Sequence, residues 1–368
     1  MKFSIPPYSE TRWEKFWGSR CDGQRCRKAT SPGGVSQGPR KTLSIVTQTV
    51  GGAVHLRAMA HSNIRVIVNP KAGRGLRDED LQSLRSRFTA HGLTAEFMLT
   101  AAPGHATELA RVSRAAGCAV IAVVGGDGTM NEVVQAYIDD DGQPLAGPPL
   151  AILPAGTGGD FRRTLGLGKN LDEAVGRIRH GADHPADLGL VHFKNDEGKD
   201  TLRAFLNSVS FGLGGLVDRI VNRSGKRFGG TVSFLLGTVQ GLVEYSNQAV
   251  RIVVDGELFY EGRVVNAAVC NGRYFGGGMC IAPMADPSDG RFEVVALGNL
   301  SVLEVLGLTG VIYQGAHLGK DRVNVTHGTV ITIEPLGSDP VLMDCDGEAP
   351  GRLPAKITIL PGAVKLRH

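Results

Sequence analysis

The sequence predicts an open α/β layer followed by a mainly antiparallel β layer, and three observations lead there. From residue 64 onward, short apolar runs alternate with amphipathic stretches, the pattern of parallel strands joined by helices. Three glycine-bearing loops, "NPKAGRG" (69–75), "GGDGT" (125–129) and "PAGTGGDF" (154–161), fall at the carboxyl ends of strands, where ligands collect in sheets of this kind. Beyond about residue 183 the chain changes to Val/Ile-rich runs separated by Gly/Asp/Pro turns, as antiparallel strands require.

Taken in order, residues 1–61 form a basic leader. It carries ten Lys/Arg against Glu10, Glu14 and Asp22, a charge of +7 within a net +4, which leaves −3 for the rest of the chain. Stretches such as "SPGGVSQGPR" give it no helical or strand period, so it is expected to be disordered. It lacks the continuous apolar core of a secretion signal. It is read as a solvated tail, and no nucleic-acid partner is expected.

An α/β domain is expected over 62–183. "IRVIVNP", "TAEFML", "AVIAVV" and "LAILP" read as strands, while "DEDLQSLRSRFTAHG", "GHATELARVSRAAG" and "TMNEVVQAYI" read as helices. A β domain is expected over 184–368, with the final strand free to return to the first domain. Its strands include "LRAFLNSVSFGL", "VRIVVDG", "VVNAAVCNG", "RFEVVAL", "TVITIEP" and "KITILP", with helices near 229–246 and 300–316. No apolar run reaches the roughly 18 residues of a membrane helix. Cys21, Cys26, Cys118, Cys270, Cys280 and Cys345 form no CxxC pair, which argues for reduced thiols in a cytoplasmic protein and against zinc.

The stretch "VVGGDGTMNEVV" (123–134) carries the chemistry. Glycines at a strand-to-helix turn let phosphate approach backbone amides, but a carboxylate there is repelled by phosphate unless a cation or a donor intervenes. Asp127 therefore either shares a magnesium ion with phosphate oxygens or bonds amides in its own loop. Thr129 and Glu132 have the spacing of a capping box, which predicts a helix starting at Thr129. No GxxxxGK[ST] occurs and no GxGxxG opens a helix, so the cradle is neither a P-loop nor a dinucleotide fingerprint.

Five blocks in order, "NPKAGRG", "GGDGTMNEVV", "LPAGTGGDF", "CNGRYFGGGMCIAPMADPSDGRFEV" and "DGEAPGRLPAKITILPGAVKL", resemble the diacylglycerol kinase catalytic family, especially the bacterial soluble lipid kinases related to sphingosine and ceramide kinases. The resemblance spans residues 64–367. It implies an N-terminal α/β domain with a phosphofructokinase- or NAD kinase-like nucleotide site, a C-terminal β-sandwich, and ATP with Mg²⁺ in the cleft between them. By the same resemblance the nucleotide contacts are Asn69, Pro70, Lys71, Ala72, Gly73, Thr100, Gly125, Gly126, Asp127, Gly128, Thr129, Met130, Asn131 and Thr157. Asp286, Asp289 and Arg291 match a structural magnesium site, Asp127 serves a metal, and Glu348 matches the proposed general base, with the roles of Asp127 and Glu348 open to exchange. Gly159 stands where the family usually has asparagine, so that amide contact is lost or replaced by backbone.

The implied activity is an ATP- and Mg²⁺-dependent lipid kinase acting on a primary hydroxyl. Diacylglycerol, giving phosphatidic acid, is the first candidate; ceramide or a sphingoid base is the next. A soluble-acceptor kinase of the NAD kinase type and a non-catalytic nucleotide or lipid sensor are the rivals. The implied partner is a lipid at the membrane surface, met by a cytoplasmic protein through transient peripheral contact, and the oligomeric state is left between monomer and homodimer.

Overall fold

The computed structural model describes residues 63–73, 75–155, 159–215 and 246–368. All of these residues belong to one compact unit, Ala58–His368. The basic leader, Thr157, the helix expected near 229–246 and its apolar run lie outside the described residues.

The first layer is a parallel sheet in the order β2-β1-β3-β4, built from β1 (Ile64–Val68), β2 (Ala95–Leu99), β3 (Val120–Gly125) and β4 (Leu150–Pro154). All six residues of β3 are buried because helices cover both of its faces. On one face, Val66, Val68, Ala122 and Val124 pack against Leu84 and Phe88 of α1 (Asp78–Ala90) and, farther along the chain, Val175 and Ile178 of α5 (Leu171–His180). On the other, Ile67, Ile121 and Val123 meet Ala106 and Ala110 of α2 (His105–Ala115) and Val133 and Val134 of α3 (Asp127–Val134). A short α4 (Asp160–Thr164) follows the third glycine loop.

The second layer is an antiparallel sandwich. One leaf runs β12-β11-β10-β7-β14, from β7 (Ser208–Gly212), β10 (Asn266–Cys270), β11 (Phe292–Leu297), β12 (Val323–Gly328) and β14 (Leu342–Cys345). The other joins β5 (Asp183–Asn195), β6 (Asp200–Phe205), β8 (Gln248–Val254), β9 (Glu257–Val264), β13 (Val330–Pro335) and β15 (Glu348–Arg367). Between the leaves lies a core that includes Phe193, Phe205, Phe211, Ile252, Phe292, Ile331 and Met343. The expected run "LRAFLNSVSFGL" is broken between Phe205 and Ser208 into β6 and β7, which lie in different leaves.

The twenty-residue β15 joins the layers. It pairs with β14 at its start, with β13 and β5 along its length, and in parallel with β4 where Leu366 meets Leu150. The helix expected near 300–316 is α6 (Val302–Tyr313), opened by a capping box in which Ser301 and Glu304 bond each other's backbone N–H. Asp346 (φ 50°) and Gly347 (φ 85°) both take left-handed backbone, as a two-residue hairpin turn from β14 into β15 demands.

Candidate active site

The cradle begins where β3 runs into α3. Gly126 takes extended backbone as the N-cap, and its carbonyl accepts the N–H groups of Thr129 and Met130. The helix therefore starts at Asp127, two residues earlier than the capping-box spacing predicts. The box itself does not form. Glu132 instead accepts the N–H of Ala106 at 3.1 Å, capping the first turn of α2, while its carbonyl accepts the Thr107 hydroxyl. Thr129 folds back over Gly125 and accepts a hydrogen bond from Asn69 Nδ2 at 3.0 Å. A Cβ on Gly125 would lie 2.5 Å from Thr129 Oγ1 and 2.6 Å from its Cβ, so only glycine fits there. Gly125→Ala is expected to displace the first turn of α3, lower stability by about 1–3 kcal/mol and weaken ATP binding. Urea unfolding and a nucleotide titration measure both effects, and a fully stable variant with wild-type affinity contradicts the argument.

Asn69 ties the first loop to the second. Its side-chain oxygen accepts Lys71 N–H at 2.9 Å, and its own N–H donates to Val124 O. A cavity of about 150 Å³ opens beside this junction, lined by Asn69, Lys71, Thr100, Pro103, Thr129 and Glu132. A smaller hollow of about 20 Å³ lies against Gly125, Gly126, Asp127, Gly159 and Arg162. Of the expected nucleotide contacts, Asn69, Lys71, Thr100 and Thr129 line the first and Gly125, Gly126 and Asp127 line the second. Pro70, Ala72 and Gly73 share the loop of Asn69 and Lys71, with Ala72 buried, and Gly128 sits in the first turn of α3. Met130 lends a wall to the small hollow while being buried in the core, and Asn131 is fully buried with its amide turned toward the sandwich.

Asp127 bonds amides of the third glycine loop. Its Oδ2 accepts the N–H groups of Gly159 and Asp160 at 3.0 and 2.9 Å, and Oδ1 accepts that of Phe161 at 3.4 Å. Gly159 has φ 101°, a left-handed backbone that suits glycine, and its N–H donates to Asp127. Asp127→Asn would turn an NH₂ toward these donors and is expected to loosen the loop by about 1.5–3 kcal/mol. Amide hydrogen exchange at 159–161 should accelerate accordingly; unchanged protection would mean the carboxylate does not hold the loop.

One acceptor direction on Oδ1 remains, so Asp127 fits a divalent ion that takes most of its ligands from phosphate and water. Among the described residues, no three His, Cys, Asp or Glu converge as a ready-made metal cage. The other expected metal residues form a separate turn. Asp286 accepts the N–H and hydroxyl of Ser288, and Asp289 accepts the N–H and Nε of Arg291. This turn is pinned to Asp187, which accepts N–H groups from Gly290 and Gly362. Burial, with the nearby charges of Asp289 and Asp286, pushes the Asp187 carboxyl up.

Asp160 carries the connection onward. It accepts Gly277 N–H at 2.8 Å from the "FGGGM" loop and pairs with Arg163, whose guanidinium stands 5.6 Å from the Tyr274 ring centroid. Burial first, and then the charge of Asp127, raise the Asp160 carboxyl above its ordinary range.

Midway along α3, Asn131 Nδ2 donates to Asp346 Oδ2 at 2.9 Å and to Ala204 O at 3.3 Å. Asp346 also accepts the N–H groups of Leu206, Asn207 and Ser208. Burial raises its carboxyl while these bonds pull it back. Arg203 places Nη2 at 2.6 Å from both Asn131 Oδ1 and Glu348 Oε2, with Nε 3.2 Å from the same Asn131 oxygen. Asn131, Arg203, Glu348 and Asp346 thus close a ring through the turn of the hairpin. Gln135 adds a two-way amide contact with the backbone of Ala204. Sequence reasoning missed Arg203, whose only signal is a cation inside the apolar run "LRAFL", and it assigned no role to Asp346 within the DGE triplet.

An open parallel sheet with glycine loops at its strand ends, where ligands collect, is joined to an antiparallel sandwich whose DGE hairpin bonds the helix behind the second loop. Residues 63–191 match the diacylglycerol kinase catalytic domain, and residues 207–368 match the YegS C-terminal NAD kinase beta sandwich-like domain. The chain belongs to the diacylglycerol kinase catalytic-domain family. It is 27% identical over 318 residues to a diacylglycerol kinase of Mycobacterium tuberculosis, covering 85% of this chain and 97% of that one. To the probable lipid kinase YegS of Escherichia coli it is 28% identical over 278 residues, covering 75% and 87%. A crystal structure of a Bacillus anthracis protein assigned as a diacylglycerol kinase superposes with a TM-score of 0.64 at 27% identity, covering 83% of this chain and 97% of that one.

Proposed function

We propose that this chain transfers the γ-phosphoryl group of ATP to the hydroxyl of a lipid, with diacylglycerol as the first candidate and ceramide or a sphingoid base as the next. The observation that carries the reading is the bonding of Glu348 and its turn, on the sandwich, to the helix that opens the glycine cradle. That arrangement suits a reaction whose two substrates sit on different layers. Amides of the 125–129 loop and Lys71 receive the phosphates, while Asn69 and Thr129 keep the first two loops in register. Mg²⁺, when bound, neutralises phosphate charge, with Asp127 supplying one oxygen.

Glu348 is the better base of the two carboxylates. Among the described residues only its Oε2 is engaged, by Arg203, whereas Asp127 holds three amides. The acceptor hydroxyl gives its proton to Glu348, and its oxygen forms a bond to the γ-phosphorus. The bond from that phosphorus to the bridging oxygen breaks, and its electron pair leaves on ADP. A lipid acceptor implies peripheral contact with a membrane from the cytoplasm. No helix among the described residues is long and apolar enough to cross one. Leu303, 80% exposed, and Leu306 and Tyr313 form an apolar ridge on α6 of the kind a lipid-facing surface carries.

The test is a transfer assay with labelled ATP and Mg²⁺ against diacylglycerol, monoacylglycerol, ceramide and sphingosine, with NAD as the soluble arm. Label in the organic-phase product of one lipid is expected. No product across the lipid panel, or turnover with NAD alone, overturns the reading.

A further inference from the structure

We propose that Arg203 is a positioning residue for the transfer step, holding the Glu348 carboxylate in register with the nucleotide-bearing helix α3. The inference rests on the reading of Glu348 as the base. Its ground is the junction itself, where one guanidinium bonds both the DGE carboxylate and an amide that belongs to the other layer.

The fork geometry requires arginine. Nε and Nη2 both point at Asn131 Oδ1, at 3.2 and 2.6 Å, and Nη2 reaches Glu348 Oε2 at 2.6 Å. A lysine ammonium is a single point and lacks the planar fork that fixes one partner's direction relative to the other. The amide of Asn131 is itself directed, because its NH₂ is committed to Asp346 and Ala204 O and leaves the oxygen facing Arg203. The orientation of Glu348 is therefore set from α3 through two consecutive hydrogen-bonded steps. Without Arg203 the Glu348 side chain has no other hydrogen-bond partner among the described residues, although Asp346 still anchors its turn.

A purely stabilising role fits less well. The Glu348 side chain is 40% exposed and that of Arg203 is 22% exposed, and an ion pair this open contributes little to stability. Arg203, from β6, bonds the carboxylate and also feels the charges of Cys345 and Asp346 in the same hairpin. Among the described residues Arg203 is the cation bonded to Glu348, so removing it leaves the carboxylate free to rotate away from the acceptor oxygen. A misplacement of about 1 Å at a reacting group costs on the order of 10²-fold in rate. The loss should fall on kcat, because Arg203 bonds Asn131 and Glu348 and lines neither of the two cavities beside the glycine loops.

The experiment compares Arg203→Ala, Arg203→Lys, Glu348→Gln and the double variant Arg203→Ala/Glu348→Gln in the full chain, with ATP and the lipid that the panel selects. Arg203→Ala is expected to lower kcat by about 100-fold with both KM values within about threefold. Added guanidinium ion should restore part of that rate, Arg203→Lys should fall between the two, and the double variant should be no slower than Glu348→Gln alone. A kcat unchanged in Arg203→Ala overturns the proposal. So does a loss confined to the KM for ATP, which would make Arg203 a phosphate ligand, or a double variant in which the losses multiply. If Arg203→Ala does not fold, Arg203→Lys decides: a wild-type kcat there shows that the fork is not needed and overturns the proposal. Full activity in Glu348→Gln instead removes the base reading itself, whereas an inactive Glu348→Gln beside an intact Arg203→Ala removes only the role of Arg203.

Discussion

Glu348→Gln is expected to lower kcat by about 10²–10⁴-fold, the usual contribution of a positioned general base, while ATP still binds. Glutamine is nearly isosteric, and its carbonyl can still accept from Arg203, so the ring through Asn131 and Asp346 can persist. What disappears is the capacity to take a proton. Single-turnover transfer with labelled ATP should slow by the same factor as kcat, and equilibrium nucleotide binding should not move. A variant that keeps most of its rate would return the base role to Asp127, at odds with the three amides that occupy that carboxylate.

Asp346→Ala is expected to be the most destabilising of the substitutions considered, at about 3–5 kcal/mol, as when one member of a buried charged network is removed. Four donors lose their acceptor together: the N–H groups of Leu206, Asn207 and Ser208, and Asn131 Nδ2. These groups join β6, β7, α3 and the hairpin, so the damage spans both layers. A urea titration followed by fluorescence reads the change as a lowered midpoint. A midpoint within about 1 kcal/mol of wild type would mean that water replaces the carboxylate at little cost.

Much of this architecture was legible in residue order because it is local. Period and punctuation identify β1 to β4 and α1 to α3, though not α5, and the Asp-Gly pair at 346–347 takes the left-handed backbone its chemistry favours. The capping-box spacing shows where local reading stops. Ser301 and Glu304 form the box, whereas Thr129 and Glu132, with the same spacing, are taken by Asn69 and by the first turn of α2. Nothing within four residues reveals that competition. Asp127 was expected to hold a metal or its own loop, and its partners lie 32 to 34 residues away, at the start of α4. Arg203 and Asn131 face each other across 72 positions, and a single sequence contains no measure of such distances.

The path of β15 also bears on how the protein is made. The α/β layer leaves the ribosome first, yet the edge of β4 beside Leu150 is covered only by Leu366, more than two hundred residues later. A nascent chain halted before β15 would display an unsatisfied strand edge next to a finished nucleotide cradle, a surface that invites pairing with other chains. The interval of synthesis between β4 and β15 is thus the stage at which chaperone protection counts most.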